Sequence, residues 1–289
     1  MLGVSPLRVQ ARRPTGLEVE LLAMFSGRDA RLAWRDLAAA ADRWPLIVYL
    51  AWHDIRARYR RSVLGPSWLT ISVGVQIAAL GLVYGGLFHL GTSTYLPHLA
   101  TGMTVWALMA GMINEGCSCF IASENYLKQG ALPKAIFPAR AVLRSFFNFA
   151  HDLIIVVIVL AIFPIALGWQ TLLVFPGLVL LAANGLWVGL LVGLLCARYR
   201  DLPPIVTSIV QVAFFVTPVI WIPGSLSGHA AMVVSLNPFA LFLSLVRDPM
   251  LGQGVAPMHW VIAGAITVVG WVLAFAVFAR FRARITYWL

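Results

Sequence analysis

Charge is scarce in this chain. Only 11% of its 289 residues are Asp, Glu, Lys or Arg, whereas soluble domains carry about 25%. The hydrophobic share is 61%, and the mean hydropathy is +0.87. Despite a net charge of +10, these values exclude a soluble enzyme, a disordered tail and a nucleic-acid-binding domain. They predict an integral membrane protein, in which excess basic residues are typical of cytoplasmic loops.

The sequence also lacks the residues of a P-loop. That motif ends in Gly-Lys-Ser or Gly-Lys-Thr, but the two lysines, Lys128 and Lys134, follow Leu127 and Pro133. The chain is therefore not expected to bind ATP by that route. Its three cysteines and six scattered histidines provide neither a disulfide framework nor a metal-ligand set. We expect no catalytic, cofactor-binding or metal site in the chain itself.

Six apolar segments are long enough to cross a bilayer as helices, which takes about 20 residues. Because backbone groups in lipid must be bonded internally, we expect an all-α protein. A charge-free run from Leu153 to Ala197 is too long for one span, and Gly168-Trp169-Gln170 divides it. The predicted spans are 67–89, 99–122, 146–167, 172–196, 205–222 and 260–279.

The basic residues indicate an orientation for these spans. With both termini in the cytoplasm, 20 of the 21 Lys and Arg residues lie in the predicted cytoplasmic parts, which are 1–66, 123–145, 197–204 and 280–289. The remaining one, Arg247, lies in an external part. Such a bias is typical of short cytoplasmic loops, so the sequence predicts an even number of spans.

The residues before the first span divide into two parts. Residues 1–44 are Arg-rich and predict a cytoplasmic extension, with a helix over 28–44. Residues 45–65 predict an amphipathic helix in the membrane interface, with its apolar face toward lipid or the first span. The apolar face comprises Val48, Trp52, Ile55, Tyr59 and Val63, and the polar face comprises Asp54, Arg58 and Arg61. The alternative is a simple basic anchor for the first span.

Three ionisable residues in or beside the predicted spans, Glu115, His151 and Asp152, are candidates for the inner mouth of a pathway. Charged groups in lipid are costly, so those that persist there are often functional. At about 1.5 Å per residue, Glu115 lies about 24 Å into an inward-running helix, near the cytoplasmic side. The alternative is a carboxylate bonded to a neighbouring helix or to water.

Aromatic residues also fall inside the spans. Trp106, Trp187, Phe214 and Phe215 are candidates for a polysaccharide pathway, because aromatic faces stack on the apolar faces of sugars. Lipid-facing or helix-packing roles are the alternative for each of them. Pro218 lies inside the predicted fifth span, where we expect it to bend the helix.

The predicted external stretch before the sixth span contains two apolar pieces that are too short to cross the bilayer. They are residues 230–236 and 238–246, separated by the breaker Asn237-Pro238. Such pieces predict re-entrant or interfacial helices between spans 5 and 6. Asn237, Arg247 and Asp248 are candidates for the outer mouth, the last two as a local ion pair.

An ordered series of short motifs resembles the ABC-2-type permeases that export polysaccharides such as O-antigen, capsule and teichoic acid. The matching motifs are RYRRSVLGPSW at 58–68, NYLK at 125–128, FP at 137–138, RYRD at 198–201, FFVTPV at 214–219, LNPF at 236–239 and Arg247. The ordered set carries the resemblance, which covers roughly residues 45–289. Residues 1–44 lie outside it.

The resemblance implies a transmembrane domain over 66–282 and a short cytoplasmic tail over 283–289. It also implies a homodimer driven by two copies of a separate ATP-binding subunit, so that ATP and Mg²⁺ belong to that partner. The loop after the second span is then a coupling segment, with an exposed apolar knob at Phe137-Pro138. The residues expected in this segment are Asn125, Leu127, Lys128, Lys134, Phe137, Pro138 and Arg140. A second contact is expected at Arg198, Arg200 and Asp201.

The sequence therefore predicts the membrane subunit of an ATP-driven exporter in the bacterial cytoplasmic membrane, also called the inner membrane. Its expected substrate is a lipid-linked or lipid-anchored polysaccharide, and its other expected contact is membrane lipid. Three alternatives stay open. They are an ABC-2 permease for a drug or small lipid, a secondary carrier that needs no ATPase, and a membrane enzyme of glycolipid synthesis.

Overall fold

The computed structural model of the chain describes residues 27–60, 65, 67–87, 91–130, 132–222 and 229–289. Within these ranges the chain forms helices and connecting segments without a strand, in agreement with the predicted all-α fold. The α-helices described are α1 (Gly27–Asp42), α2 (Trp44–Arg58), α3 (Ser67–Leu87), α4 (Thr92–Ser118), α5 (Glu124–Gln129), α6 (Ile136–Ile162), α7 (Val174–Arg198), α8 (Leu202–Val216), α9 (His229–Ser235), α10 (Pro238–Met250), α11 (Pro257–Phe281) and α12 (Ile285–Trp288). Short 3₁₀ helices cover Ile121–Ser123, Trp169–Leu173 and Arg282–Arg284.

Four helical segments of the described chain are long and apolar enough to cross a membrane. They are Thr92–Ser118, Ile136–Ile162, Trp169–Arg198 and Pro257–Trp288. Two shorter apolar helices, Thr70–Gly86 and Leu202–Val216, lie at the positions of the predicted first and fifth spans. Helices therefore occupy all six predicted segments, and length and composition mark four of them as candidate spans.

The predicted boundaries differ most from the structure at the third span. Helix α6 begins at Ile136 rather than at residue 146. Arg140 and Arg144 had the pattern of loop charges, but both pair with carboxylates from other helices, so the helix continues through them. Helix α4 likewise begins at Thr92, before the predicted residue 99.

The other boundaries lie closer to their predictions. Helix α1 corresponds to the helix expected over 28–44, and α6 and α7 are separated at Gly168, as predicted. Helix α2 ends at Arg58, short of the predicted residue 65. Residues 61–64, which complete the predicted interface helix, and residues 88–89 of the first span lie outside the described residues.

Glycines allow α4 and α7 to cross closely. Gly185, Gly189 and Gly193 occur at every fourth position of α7, so they share one face of that helix. A Cβ atom built on Gly116 of α4 would lie 3.0 Å from the Cα atom of Gly189, and one on Gly193 would lie 2.9 Å from the carbonyl oxygen of Gly116. Larger side chains at this crossing would push the two helices apart.

The bundle has two chemically different ends. We call one the basic end, because it carries Arg144, Arg198 and Arg282 together with α2 and α5. We call the other the opposite end, where α9 and α10 lie and where α4 and α11 begin. Helix α4 is the most enclosed of the candidate spans, with two thirds of its apolar window buried inside the protein.

Candidate functional site

Ion pairs join α2, α4 and α6 at the basic end. Asp54 accepts hydrogen bonds at Oδ2 from Arg140 Nε, at 2.6 Å, and from Arg144 Nη1, at 2.7 Å. Arg144 Nε also donates to Glu115 Oε2 at 2.8 Å, and Arg58 Nη2 lies 3.5 Å from Glu115 Oε1. We call these five residues the ion-pair network. The network attaches α2 to two helices of the bundle.

The network keeps Asp54 ionised. Burial by itself raises the pKa of this carboxyl, but hydrogen bonds and positive charge from Arg140 and Arg144 outweigh it and hold the pKa below its ordinary value. The side chains of Asp54, Arg140 and Arg144 are 18%, 12% and 14% exposed, so water screens the pairs only in part. Asp54 was predicted on the polar face of α2, but its partners on α6 were not predicted.

The face of α2 that packs on the protein differs from the predicted apolar face. Ile47, Ala51 and Ile55 are buried at four-residue spacing, whereas Trp52 is 51% exposed. Of the predicted stripe, Ile55 therefore packs inward, whereas Trp52 is half-exposed and its ring packs edge-on against Phe147 of α6, with 5.6 Å between the ring centroids. In this orientation Asp54 pairs with Arg140 and Arg144 of α6, and the smaller apolar side chains of α2 face the bundle.

The remaining predicted residues of the interface helix lie at its C-terminal end. Arg58 is the last residue of α2, and Tyr59 follows it as the C-cap. Arg58 points toward Glu115 rather than away from the protein, because its guanidinium lies near that carboxylate. Arg61 lies outside the described residues.

The three residues predicted to meet at an inner mouth have different surroundings. Glu115 belongs to the ion-pair network, so it is bonded to a neighbouring helix, which was the alternative left open by the sequence. His151 Nδ1 lies 2.8 Å from the carbonyl oxygen of Phe147, one turn earlier in α6. Asp152 is buried, and its Oδ1 has no hydrogen-bond partner within the described part of the chain.

The predicted coupling segment folds as α5 followed by the start of α6. Asn125 and Lys128 are exposed on α5, and Lys128 forms an ion pair with Glu124 one turn earlier. Leu127 is buried and packs beneath α5 in an apolar cluster with Phe137. Helix α5 thus presents its polar side outward and is attached through Leu127.

The prediction that Phe137 and Pro138 form an exposed apolar knob is wrong. Phe137 is 1% exposed, and Pro138 is also buried. The ring centroid of Phe137 lies 6.4 Å from that of Phe120 and 6.5 Å from that of Tyr126. Burying the Phe137 ring in these contacts is more favourable than leaving it exposed to water.

Two cations of the same segment also point inward. Lys134 Nζ donates a hydrogen bond to the carbonyl oxygen of Arg282, near the end of the chain. Burial, together with the nearby positive charge of Arg282, lowers the pKa of Lys134. Arg140 belongs to the ion-pair network, and its guanidinium lies 5.8 Å from the ring centroid of Tyr126. Both side chains therefore hold the protein together at positions where the sequence predicted a partner contact.

The second predicted contact lies beside α5. Arg198 is the last residue of α7, and Arg200 and Asp201 lie in the turn before α8; all three are exposed. Leu127 of α5 and Ala197, the neighbour of Arg198, are buried in the same apolar cluster, so the turn lies near α5. The hydrogen bond and charge of Lys128, with a smaller contribution from Arg200, hold the pKa of Glu124 below its ordinary value. We define the α5 surface as Asn125, Lys128, Arg198, Arg200 and Asp201. The structure thus brings the two predicted contact segments together, but through fewer residues than expected.

A cavity of about 560 Å³ lies between α3, α4 and α8, and we call it the aromatic groove. Trp106, Phe214 and Phe215 provide its aromatic lining. The ring centroid of Phe214 lies 5.6 Å from that of Trp106 and 5.4 Å from that of Phe215. Its polar lining consists of Gln76, Asn114, Thr207 and Gln211. Three of the four predicted pathway aromatics therefore line one cavity.

Trp187, the fourth predicted pathway aromatic, packs between α7 and α11. Its Nε1 donates to Asn184 Oδ1 at 2.8 Å, and Asn184 Nδ2 donates to Thr267 Oγ1 at 2.7 Å. A Cβ atom on Gly270 would lie 2.2 Å from the indole ring, so α11 approaches the ring closely at this glycine. These contacts correspond to the helix-packing alternative for Trp187.

Pro218 and the predicted outer-mouth residues meet at the opposite end. Arg247 is 5% exposed, and it donates to Asp248 Oδ1 at 2.9 Å and to the carbonyl oxygen of Pro218 at 2.7 Å. Asn237 Nδ2 donates to Thr217 Oγ1 at 3.0 Å, and its Oδ1 accepts from the first turn of α10. One set of hydrogen bonds therefore joins the end of α8 to α10.

Pro218 ends α8 instead of bending it, contrary to the prediction. The helix stops at Val216, and Thr217 has the extended dihedrals φ −90° and ψ 137°. A residue that precedes proline is disfavoured in the helical region because the proline ring clashes with its backbone. The predicted fifth span, 205–222, is therefore helical only to Val216, and its remaining residues form a non-helical segment of turns and bends.

Comparisons with known proteins agree with this arrangement. Residues 45–251 match the sequence model of a family described as ABC-2 type transporter. The O-antigen export system permease protein RfbA of Klebsiella pneumoniae is 23% identical over 211 residues, which cover 70% of this chain and 79% of that protein. A protein of the same name from Myxococcus xanthus is 21% identical over 202 residues, covering 69% and 77%. A further one from Klebsiella pneumoniae is 20% identical over 251 residues, covering 83% and 93%.

The family match extends over the elements that carry the site. It begins at the interface helix α2 and continues through the ion-pair network, α5, the aromatic groove and α10. Helix α1 precedes the matched region, and α11 and α12 follow it. Because the match includes well over half of the residues, the chain belongs to the ABC-2 type transporter family.

Proposed function

We propose that the chain is the membrane subunit of an ATP-driven exporter of a lipid-linked or lipid-anchored polysaccharide in the bacterial inner membrane. Family membership supports a transport role, and the names of the relatives support O-antigen as the class of cargo. The basic end is then cytoplasmic, with both chain termini on that side. A homodimer of this chain, two ATP-binding subunits and their ATP and Mg²⁺ complete the proposed transporter.

The proposed topology has six spans, formed by α3, α4, α6, α7, α8 and α11. Helix α8, with 15 residues, extends only about 23 Å at about 1.5 Å per residue, less than the hydrocarbon core of about 30 Å. Non-helical backbone at membrane depth is tolerated where protein groups bond it. The carbonyl oxygens of Pro218 and Ile220 accept hydrogen bonds from Arg247 and Tyr95, which supports a span completed by residues 217–222.

Cysteine labelling tests this topology. Gly91 and Gln129 are both exposed, at opposite ends of the bundle. Cysteine at Gly91 should react with an impermeant thiol reagent in intact cells, and cysteine at Gln129 should react only after the cells are opened. The three native cysteines are buried, so the unmodified chain gives the background. Labelling of Gln129→Cys in intact cells would contradict the six-span proposal.

The aromatic groove is the observation that carries the polysaccharide assignment. It combines three aromatic rings with four amide or hydroxyl side chains. Sugars present apolar ring faces and many hydroxyl groups, so this combination suits them. Asn114 Oδ1 already accepts a hydrogen bond from Thr207 Oγ1 at 3.1 Å. A purely apolar drug or lipid chain would offer no partner to the amides of Gln76 and Gln211, which disfavours the first alternative cargo.

Phe215 offers a test in which the fold is spared, because its side chain is 71% exposed. Phe215→Ala removes one ring from the groove, and Phe175→Ala removes a ring of similar exposure, 67%, that does not line it. If stacking contributes about 0.5–1.5 kcal/mol, export should fall about 2- to 13-fold in the first variant only. The measurement is polysaccharide at the cell surface, normalised to permease in the membrane. Equal export by the two variants would contradict the assignment.

The α5 surface is the proposed contact with the ATP-binding subunit. Its exposed cations, Lys128, Arg198 and Arg200, support a partner with an acidic surface. The charge reversal Lys128→Glu should lower the amount of ATP-binding subunit that co-purifies, and high salt should lower it further in the wild type. Arg56→Glu reverses an exposed charge on α2 and is the control. Equal co-purification with both variants would exclude the α5 surface.

The expected result of Phe137→Ala differs from the one that an exposed apolar knob would give. Because Phe137 is buried, its truncation should cost about 3–5 kcal/mol of folding free energy. The level of the permease in the membrane should therefore fall, together with export and ATPase association. A normal membrane level with ATP hydrolysis but without export would instead restore Phe137 as a direct coupling residue. Immunoblotting of membranes and an ATPase assay separate the two results.

A further inference from the structure

A second cavity lies between the α1–α2 pair and the bundle. Its volume is about 540 Å³, and it is lined by side chains from α1, α2, α6, α7 and α11 and by Ala135. All of its lining side chains are apolar. Its lining includes Trp34, Trp44, Phe146 and Ala182. We call this cavity the α1 groove.

The α1 groove has the depth of one leaflet. Along α6 its lining runs from Ala135 to Phe146, and along α7 it runs from Leu190 to Ala182. At about 1.5 Å per residue these distances are about 16 Å and 12 Å, and half of the hydrocarbon core is about 15 Å. A single acyl chain that enters from the basic end would therefore be covered over most of its length.

The mouth of the groove has the residues of a membrane interface. Trp34 in the middle of α1 is 66% exposed and Trp44 at the start of α2 is 54% exposed, and both line the cavity. Tryptophan is typical of the headgroup level of a bilayer, because its ring is apolar and its N–H is polar. The two rings thus mark where the hydrocarbon part of a bound lipid ends and its headgroup begins.

Basic side chains lie beside this mouth. Arg31 precedes Trp34 by one turn of α1 and Arg35 follows it directly, and both arginines are exposed. Of the acids in α1, Asp36 points inward, where it accepts from the backbone N–H of Ala135 at 2.9 Å and from Arg282. The other acids of the helix are Asp29 and Asp42. Cations next to an interfacial tryptophan are suited to a lipid phosphate.

We propose that the α1 groove binds one acyl chain of an anionic phospholipid, whose phosphate lies at Arg31 and Arg35. Helix α1 precedes the matched region of the family, so this site is built partly from a segment that the family match does not include. The proposed topology is needed only to assign this lipid to the cytoplasmic leaflet. Binding itself is independent of the molecule that is exported.

Native mass spectrometry of the purified full chain tests this site. The protein is incubated in detergent with equal amounts of phosphatidylglycerol and phosphatidylcholine, and the lipid that stays bound is counted. The wild type should retain phosphatidylglycerol preferentially. Arg31→Gln with Arg35→Gln should lower that preference about 10- to 30-fold, because each cation near a headgroup contributes about 1 kcal/mol. Arg56→Gln with Arg60→Gln removes the same charge from exposed positions and should leave the preference unchanged.

Filling the groove should abolish retention. Ala182→Phe places a ring inside it, whereas Val268→Phe adds a ring on an exposed position of α11 that does not line it. Trp34→Ala is a second test with little risk to the fold, because this side chain is largely exposed, and it should weaken retention severalfold. Equal retention of the two lipids by the wild type, or unchanged retention by Ala182→Phe that remains folded, would overturn the proposal.

Competition distinguishes a resident lipid from transported cargo. Lipid-linked polysaccharide added in excess should not displace the bound phosphatidylglycerol, and its displacement would overturn the proposal in favour of a cargo site. Neither ATP nor export is needed for these measurements. A failed lipid site would therefore leave the proposed export function untouched, and a failed export assay would leave the lipid site untouched.

Discussion

The two ends of the bundle are joined by different kinds of bond. At the basic end, charged side chains of separate helices pair with one another, as Asp54 and Glu115 do with Arg144. At the opposite end, Tyr95 and Arg247 donate to backbone carbonyl oxygens that follow α8. The ion-pair network of the basic end therefore joins side chain to side chain, whereas Tyr95 and Arg247 hold the chain after α8 by its backbone.

The backbone explains this difference. Residues 217–222 are not α-helical, so their carbonyl oxygens lack i+4 partners and need other donors. At the basic end α6 continues through Arg140 and Arg144, so its backbone is already bonded and its side chains are free to pair. At the opposite end, the bonds from Tyr95 and Arg247 thus fix the backbone path of residues 217–222.

The largest expected effect is at the opposite end. Arg247→Ala should destabilise the protein by about 3–5 kcal/mol, because it leaves Asp248 and the carbonyl oxygen of Pro218 without their buried partner. Thermal unfolding in detergent and the membrane level measure the loss. Arg247→Lys keeps the charge but not both bonds, so it should lie between the alanine variant and the wild type. If Arg247→Ala unfolds like the wild type, the opposite end is not held by this arginine.

A smaller effect is expected for Asp54→Asn at the basic end. The substitution removes the charge that faces Arg140 and Arg144, but the pairs are partly exposed and Arg144 keeps Glu115. Allowing for screening by water, we expect a loss of about 1–3 kcal/mol. Asp42→Asn, at an exposed acid of α1, is the matched control and should change stability little. A loss as large as that of Arg247→Ala would remove the contrast between the two ends.

Local signals were enough to predict much of the fold. The apolar runs, the division at Gly168 and the break at Asn237-Pro238 each depend on neighbouring residues, and helices occur where they predicted them. The every-fourth-residue glycines of α7 were a further local signal for a close crossing. The spacing of these glycines does not reveal that α4 is the helix they contact, because that depends on how the helices are arranged in the bundle.

Partners that are distant in sequence were not predictable in the same way. Arg140 and Asp54 are 86 residues apart, so their pairing could not be seen in the local sequence. Because Arg140 was treated as an unpaired loop cation, the start of α6 was predicted too late. Phe137 illustrates the same difficulty for the candidate site. The Phe-Pro sequence looks the same whether the phenylalanine is exposed or buried. In the structure Phe137 is buried because its ring packs against Phe120 and Tyr126, which the local sequence does not reveal.

Glu115→Gln should have a smaller effect than Asp54→Asn. Asp54 contacts both arginines of α6, whereas Glu115 contacts Arg144 closely and Arg58 only at 3.5 Å. We expect a loss of about 0.5–1.5 kcal/mol, typical of one hydrogen bond in a network. Unfolding of both single variants and of the double variant measures the coupling between the two acids. If Glu115→Gln costs more than Asp54→Asn, Glu115 rather than Asp54 is the centre of the network.

The smallest effect is expected from pH, and it should distinguish the basic end. The pKa of Asp54 is lower in the folded protein than its ordinary value of 3.8. Its contribution to stability is therefore complete above the unfolded pKa, and it is lost as the pH falls through the folded pKa. Between pH 8 and pH 5 the difference in unfolding temperature between the wild type and Asp54→Asn should stay constant. Below about pH 4 that difference should shrink as Asp54 takes up a proton. Because asparagine does not titrate, a difference that persists unchanged at pH 3 would show that Asp54 stabilises the protein by something other than its charge.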